Sequence, residues 1–182
     1  MNTPNKLTIL RMIMIIPFVI LMLQPGENRL VSFAALAIFI IASLTDTLDG
    51  YLARRDNLVT DFGKFMDPLA DKLLVCAAMV CLVDVHRLPT WVCIIIISRE
   101  FIISGFRLVA SDNGIVIAAS WWGKIKTISQ MLMIILLIAN LGNVSNVFII
   151  LEQILIYVST ALTIISLCDY LWKNRQVISM QK

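Results

Sequence analysis

The sequence has few of the residues that enzymes most often use for acid–base chemistry and cross-linking. Its only histidine, His86, sits in a short polar gap beside Asp84 and Arg87, which favours a loop residue over a catalyst. The four cysteines lie in apolar runs and none forms a CxxC pair, so small buried hydrophobic side chains are expected, not a disulfide or a metal site. Internal repeats and low-complexity linkers are also missing. Any catalysis must therefore run largely without histidine.

Apolar residues dominate the chain, with 59% of its 182 residues hydrophobic and a mean hydropathy of +0.89. These values lie well outside the range of soluble globular domains. A span needs roughly 20 residues, so about six spans use up the whole length. We predict an all-α, integral membrane bundle of six transmembrane helices that forms one domain, residues 1–182. The predicted spans are 7–23, 30–52, 62–83, 89–110, 122–141 and 145–171.

The first apolar stretch is not followed by a small-residue cleavage site, so a retained span is expected and not a signal peptide. Basic residues then predict the orientation. With the N-terminus in the cytoplasm, 13 of the 15 lysines and arginines fall on the cytoplasmic side, and only Arg29 and Arg87 fall outside it. We expect an integral protein of a bacterial-type cytoplasmic membrane, with its polar intramembrane residues, and hence any active site, facing the cytoplasm.

Four carboxylates interrupt the apolar pattern at the facing ends of the second and third predicted spans. Helical spacing places the two acids of each span on one face, and an antiparallel pair joined by residues 54–61 brings both faces together. Four ionised acids at close quarters need counter-charge, and all-oxygen ligands favour Mg²⁺ or Mn²⁺ over zinc. The pattern predicts a site for two divalent ions, as in two-metal phosphoryl chemistry, formed by Asp46, Asp49, Asp67 and Asp71.

Small residues lie on the same two helix faces. Gly50 and Ala53 share an arc of about 100° with the acids of the second span, and Gly63 lies within about 80° of the acids of the third. Glycine at such positions lets a flat or bulky group approach the helix backbone. The neighbouring Arg54 is suited to a diphosphate. These residues predict a nucleotide beside the metal site.

A purely structural explanation accounts for single acids. Asp67 followed by Pro68 is a good helix start, with aspartate as the N-cap and proline at the first helical position. If the third helix began there, Gly63 would not share its face. The other acids can form ion pairs with neighbouring lysines and arginines. This explanation does not cover the shared faces, and proline is tolerated within membrane helices, so we retain the metal site.

The segment from Asp46 to Asp71 resembles the signature of the CDP-alcohol phosphotransferases, D-x2-D-G-x2-A-R-x8-G-x3-D-x3-D, at every fixed position. The resemblance implies transfer of the phosphatidyl group of a CDP-linked lipid to an alcohol, with release of CMP. It also implies that the four aspartates bind metal and that Asp71 is the general base on the attacking hydroxyl. The start of the chain, PNKLTILR, is similar to the family as well. The residues then expected to bind CDP are Asn5, Thr8, Gly50, Ala53, Arg54 and Gly63, with Arg11 nearby.

Four cations on the cytoplasmic side predict the class of acceptor, namely Arg99, Arg107, Lys124 and Lys126. Arg99 and Arg107 lie about 80° apart on a helix, and burying such cations requires anionic partners. Glu100 is adjacent but expected to point elsewhere, so a phosphate-bearing acceptor is the better partner. The segments REFIISGFR and GKIKT also resemble the branch of the family that uses sn-glycerol 3-phosphate. The resemblance implies CDP-diacylglycerol and sn-glycerol 3-phosphate as substrates.

Several alternatives stay open at this point. The cations can instead anchor the protein to lipid headgroups, and inositol phosphate is a second acceptor that fits them, whereas serine is disfavoured. A divalent-cation transporter would need acids near the middle of the membrane, and a lipid-binding scaffold would release no CMP. Polar helix faces are compatible with a homodimer. No role is predicted for residues 111–121.

Overall fold

A computed structural model of the chain describes the backbone of residues 3–24, 28–55, 61–112, 117, 120–141 and 146–175. Side chains are described for residues 8–24, 28–45, 69–111, 117, 120–141 and 147–175. Every regular element in these ranges is an α-helix, which confirms the predicted all-α fold with six helices. The helices are α1 (Thr3–Met22), α2 (Arg29–Arg55), α3 (Asp61–Asp84), α4 (Thr90–Asp112), α5 (Trp121–Ala139) and α6 (Asn146–Lys173).

The helices contain 19 to 28 residues each. At 1.5 Å per residue the shortest is about 28 Å long, close to the thickness of a bilayer's hydrocarbon core. Among the described residues, two helical stretches are long and apolar enough by themselves to cross a membrane, Trp121–Ala139 and Val147–Lys173. Shorter apolar stretches lie in α1 and α2, over Thr8–Met22 and Arg29–Thr45.

The outer surface of α6 is apolar and its inner face is polar. Ile154 and Tyr157 are 52% and 63% exposed, whereas Ser159, Thr163 and Ser166 are fully buried. A helix of a soluble protein shows the opposite arrangement. Small hydroxyl residues between helices, with large aliphatic residues outside, are typical of helices packed in lipid.

The chain forms two compact units, residues 1–87 with 135–144, and residues 88–134 with 145–182. In the first unit, α1 packs against both α2 and α3. The rings of Phe18 and Phe39 meet there with their centroids 5.9 Å apart, and Leu74 is fully buried. These contacts fix α1 alongside the two helices that carry the predicted metal ligands.

In the second unit, α4 packs against α6. Ile96 and Ile103 of α4 are buried. The Oγ atoms of Ser129 on α5 and Ser159 on α6 form a buried hydrogen bond of 2.7 Å. This bond ties α5 to α6 from within the apolar surroundings, where few other groups are available to satisfy a hydroxyl.

Helix α3 ends in a hydrogen-bonded turn that contains His86. The His86 amide donates to the Val83 carbonyl at 3.0 Å, and the Arg87 amide donates to the Leu82 carbonyl at 2.9 Å. This pair of bonds forms a Schellman motif, in which His86 takes the left-handed position with a φ of 57°. The prediction that His86 is a loop residue is confirmed.

All four cysteines are free. Cys81 and Cys93 are buried, as predicted, and Cys76 is half-buried. For Cys168 the predicted burial is wrong, because this residue is exposed on α6. In apolar surroundings a small hydrophobic side chain is as compatible with the outward face of a helix as with the face that packs against other helices.

Candidate functional site

The acidic segment lies on two uninterrupted helices. Helix α2 continues to Arg55, and α3 begins at Asp61 and passes through Pro68 without a break. Asp67 is therefore well inside α3, and the alternative in which it is only the N-cap is wrong. Since Gly63, Asp67 and Asp71 belong to one helix, their predicted common face is compatible with the backbone.

The side chains of residues 46–55 and 61–68 lie outside the described residues, and with them most of the predicted metal and CDP ligands. Asp71 is described, and it is half-buried in α3 between the buried Ala70 and Leu74. Among the described side chains, no group of three potential metal ligands occurs. The donor set of four carboxylates on two helices suits a hard divalent cation, because Mg²⁺ and Mn²⁺ prefer oxygen ligands.

Two polar residues of α1 are buried, and one of them contacts the middle of α2. Thr8 is fully buried and Arg11 is 1% exposed. The Nε of Arg11 donates to the carbonyl oxygen of Ala42 at 3.2 Å, and the same carbonyl accepts from the hydroxyl of Thr45 at 2.7 Å. Ala42 lies one helical turn before Asp46. The N-terminal helix therefore holds α2 just before its acidic segment. Asn5 lies outside the described side chains.

Two of the four predicted acceptor cations are buried together. Arg99 is 7% exposed and Lys126 only 1%. The Nη1 of Arg99 donates to Oε1 of Glu100 at 3.1 Å, and Nζ of Lys126 donates to the same oxygen. The expectation that Glu100 points elsewhere is wrong. Lys126 of α5 brings a second buried cation against α4, and a shared carboxylate lowers the cost of keeping both charges away from water.

Helix α6 completes the surroundings of Arg99. The Nη2 of Arg99 donates a hydrogen bond of 2.5 Å to the hydroxyl of Ser166 on this helix. Sequence reasoning missed Ser166 and the role of Glu100. A signal for Ser166 was present, because Ser159, Thr163, Ser166 and Tyr170 alternate in steps of four and three residues, the spacing of a helix face that packs against other helices.

The other two predicted acceptor cations are exposed and lie over aromatic rings. The guanidinium carbon of Arg107 is 5.9 Å from the ring centroid of Tyr170. The Nζ of Lys124 is 5.7 Å from the ring centroid of Trp121. Neither cation forms a salt bridge with a carboxylate among the described residues. The four cations therefore fall into a buried pair that shares Glu100 and an exposed pair that remains accessible to an anion.

Residues 1–165 match the family described as CDP-alcohol phosphatidyltransferase. The chain is 42% identical to a protein of Bacillus subtilis, over 97% of both chains, and 45% identical to a protein of Haemophilus influenzae, over 93% of this chain and 91% of the other. Both are named CDP-diacylglycerol–glycerol-3-phosphate 3-phosphatidyltransferase. A protein of Mycobacterium tuberculosis, 37% identical over 93% of this chain and 79% of its own length, is named probable phosphatidylglycerophosphate synthase.

The trio of Arg99, Glu100 and Lys126, in which both cations are buried and Glu100 is half-buried, predicts a specific stability effect. The substitution Glu100→Gln leaves two buried cations without their shared carboxylate, so the free energy of unfolding is expected to fall by about 1–3 kcal/mol. The measurement is thermal unfolding of the purified protein in detergent. The control is Lys173→Met, which removes the 2.8 Å ion pair between Lys173 and Asp169. Because Lys173 is 61% exposed, this substitution is expected to lower the free energy of unfolding by about 0.5 kcal/mol or less. Equal effects of the two substitutions would contradict a structural role for the trio.

Proposed function

The chain belongs to the CDP-alcohol phosphatidyltransferase family, and we propose that it transfers the phosphatidyl group of CDP-diacylglycerol to sn-glycerol 3-phosphate, giving phosphatidylglycerophosphate and CMP. The observation that carries this proposal is its similarity to relatives named for this reaction, which extends over 93–97% of the chain. That similarity includes both the acids of residues 46–71 and the cations of residues 99–126.

The protein is a membrane protein, as its family and its apolar helices indicate. We extend this to six transmembrane helices in a single domain, with the N-terminus and the active site on the cytoplasmic side of a bacterial-type membrane. The distribution of 13 of 15 basic residues supports that orientation. The helix lengths of 19 residues or more support the number of spans. A water-soluble acceptor then reaches the site from the cytoplasm.

Family membership implies dependence on a divalent metal ion. In the proposed site, Asp46, Asp49, Asp67 and Asp71 hold two ions, Mg²⁺ or Mn²⁺. The ions would neutralise the diphosphate and stabilise the charge that develops at the transferred phosphorus. The uninterrupted course of α2 and α3 supports the proposal, since it keeps the acids of each helix in the expected spacing.

The CDP group is assigned to the small and polar residues around these acids. Gly50, Ala53 and Gly63 leave room for it, and Arg54 pairs with its diphosphate. Asn5 and Thr8 of α1 are assigned to the same group. Support comes from the packing of α1, because the Arg11–Ala42 hydrogen bond holds this helix next to the turn that precedes Asp46, and Thr8 is buried one turn earlier on α1.

The reaction is a substitution at phosphorus. Asp71 accepts the proton of the C1 hydroxyl of glycerol 3-phosphate. The C1 oxygen forms a bond to the phosphorus that carries the lipid, the bond between this phosphorus and the oxygen of the CMP phosphate breaks, and CMP leaves. Arg107 and Lys124, which are exposed, bind the acceptor phosphate directly, while Arg99 and Lys126 supply positive charge from a position fixed by Glu100.

The reaction and its acceptor are tested by measuring CMP. Purified protein with CDP-diacylglycerol and Mn²⁺ or Mg²⁺ is expected to release CMP when sn-glycerol 3-phosphate is added. Inositol phosphate and serine serve as the competing acceptors. Release with inositol phosphate alone would replace the proposed acceptor, and no release with any acceptor would overturn the transferase in favour of a transporter or a binding protein.

The role of Asp71 predicts the loss of turnover in Asp71→Asn. An asparagine cannot accept the hydroxyl proton, so kcat is expected to fall by roughly a hundredfold or more. The control is Asp84→Asn, an exposed carboxylate at the other end of α3, which is expected to keep normal turnover. A near-normal kcat for Asp71→Asn would show that the base lies elsewhere.

The role of Arg107 predicts a selective effect on the acceptor. In Arg107→Ala the KM for glycerol 3-phosphate is expected to rise about tenfold, because a charge-assisted contact to phosphate is lost. The KM for CDP-diacylglycerol should stay within about twofold of the unsubstituted value. Arg29→Ala is the matched control, since Arg29 is also an exposed cation over an aromatic ring, 5.5 Å from the Phe33 centroid. Equal changes of both KM values in Arg107→Ala would contradict the assignment.

A further inference from the structure

Helix α6 presents two hydroxyl side chains to the two arginines of α4. Ser166 accepts a hydrogen bond of 2.5 Å from Nη2 of Arg99. One turn further along, the ring of Tyr170 lies 5.9 Å from the guanidinium carbon of Arg107. Both arginines proposed to serve the acceptor therefore contact the same face of α6, and the two hydroxyls are part of their immediate surroundings.

Two buried hydrogen-bond donors of α4 and α6 have no hydrogen-bond partner among the described residues. They are the hydroxyl of Tyr170, a residue only 2% exposed, and Nε of Arg99. Buried tyrosine hydroxyls normally have a partner, because an unsatisfied one loses its interaction with water without replacement. One of these donors belongs to a cation and the other lies in a ring that contacts a cation, which points to an anionic ligand that supplies acceptor oxygens.

The ring of Tyr170 is held firmly without help from its hydroxyl. The ring of Phe106 meets it edge-on, at a centroid distance of 5.8 Å and an angle of 80°, and Arg107 lies over its face. A phenylalanine at this position would make the same two contacts. Packing therefore explains an aromatic ring at position 170 and leaves the hydroxyl unexplained.

We propose that Tyr170 is a further residue of the acceptor site, and that its hydroxyl donates a hydrogen bond to the phosphate of glycerol 3-phosphate bound by Arg107. This rests on the proposed function. The shared chemistry is a phosphate group, which the acceptor, the CDP-lipid and anionic headgroups all carry. The soluble acceptor is favoured because Arg107 is exposed and has no carboxylate partner among the described residues.

The test is Tyr170→Phe, which removes the hydroxyl and keeps the ring between Phe106 and Arg107. The KM for glycerol 3-phosphate is expected to rise about tenfold, with the KM for CDP-diacylglycerol within about twofold of the unsubstituted value. The matched control is Tyr157→Phe on the same helix. Tyr157 is 63% exposed on the outer face, so loss of its hydroxyl should change neither KM.

Both variants are assayed in bilayers of neutral lipid and in bilayers rich in anionic lipid. A rise in the KM for glycerol 3-phosphate in both kinds of bilayer supports the acceptor as the ligand. A rise confined to anionic bilayers assigns the hydroxyl to a headgroup, and a rise in the KM for CDP-diacylglycerol assigns it to the donor. Either result, or an unchanged KM for glycerol 3-phosphate, overturns the inference.

A binding measurement separates this inference from the proposed function. Inorganic phosphate is titrated into the full-length protein in detergent by calorimetry, without any turnover. Weaker phosphate binding by Tyr170→Phe than by Tyr157→Phe supports the phosphate contact even if no CMP is released with glycerol 3-phosphate. Equal affinities of the two variants overturn it, whatever the result of the CMP assay.

Discussion

Polar groups surrounded by apolar side chains must find their partners within the protein, and the described part of this chain is arranged around that constraint. Arg11 uses a helix carbonyl, Ser129 and Ser159 use each other, and Arg99 shares a carboxylate with Lys126. Each of these bonds joins two helices or fixes a charged side chain against its neighbours. In lipid-like surroundings such bonds take over much of the specificity that hydrophobic packing supplies in water.

The same constraint explains why the proposed reaction needs charged partners from outside the chain. The acids are concentrated on α2 and α3 and the acceptor cations on α4 and α5. Arg99, Arg107, Lys124 and Lys126 with the single carboxylate of Glu100 leave a charge of +3, that is 4 − 1. Clusters of one sign are unfavourable without counter-ions. In the proposed function divalent cations neutralise the acids, and the acceptor phosphate neutralises the exposed cations, so substrate and metal supply the charges that the chain lacks.

Helix positions could be predicted closely from the sequence, because hydropathy and turn residues determine where a span begins and ends. The predicted span of residues 62–83 corresponds to α3, and His86 follows it in a turn as expected. Side-chain pairing could not be predicted in the same way. Glu100 and Arg99 differ by about 100° around their helix, yet Arg99 contacts Glu100, whose carboxylate also pairs with Lys126 from another helix. Sequence spacing describes one helix at a time, so neither this trio nor the arginine contacts of Ser166 and Tyr170 could be inferred from it. The family signature, in contrast, identified the family because its fixed positions lie within one short segment.

The two kinds of cation in the second unit differ in how readily they exchange partners. Arg99 and Lys126 are buried and share the half-buried carboxylate of Glu100, and removing one member of such an ion pair is costly. Arg107 and Lys124 rest on aromatic rings, and an exposed cation–π contact contributes only about 0.5–1 kcal/mol. A charge-assisted hydrogen bond to phosphate is stronger than that contact. A phosphate can therefore bind the exposed pair at little cost, while the buried pair keeps its geometry. In the proposed site the two pairs of cations therefore have different roles. The exposed cations exchange partners in every catalytic cycle, and the trio around Glu100 keeps the helices that carry these cations in place.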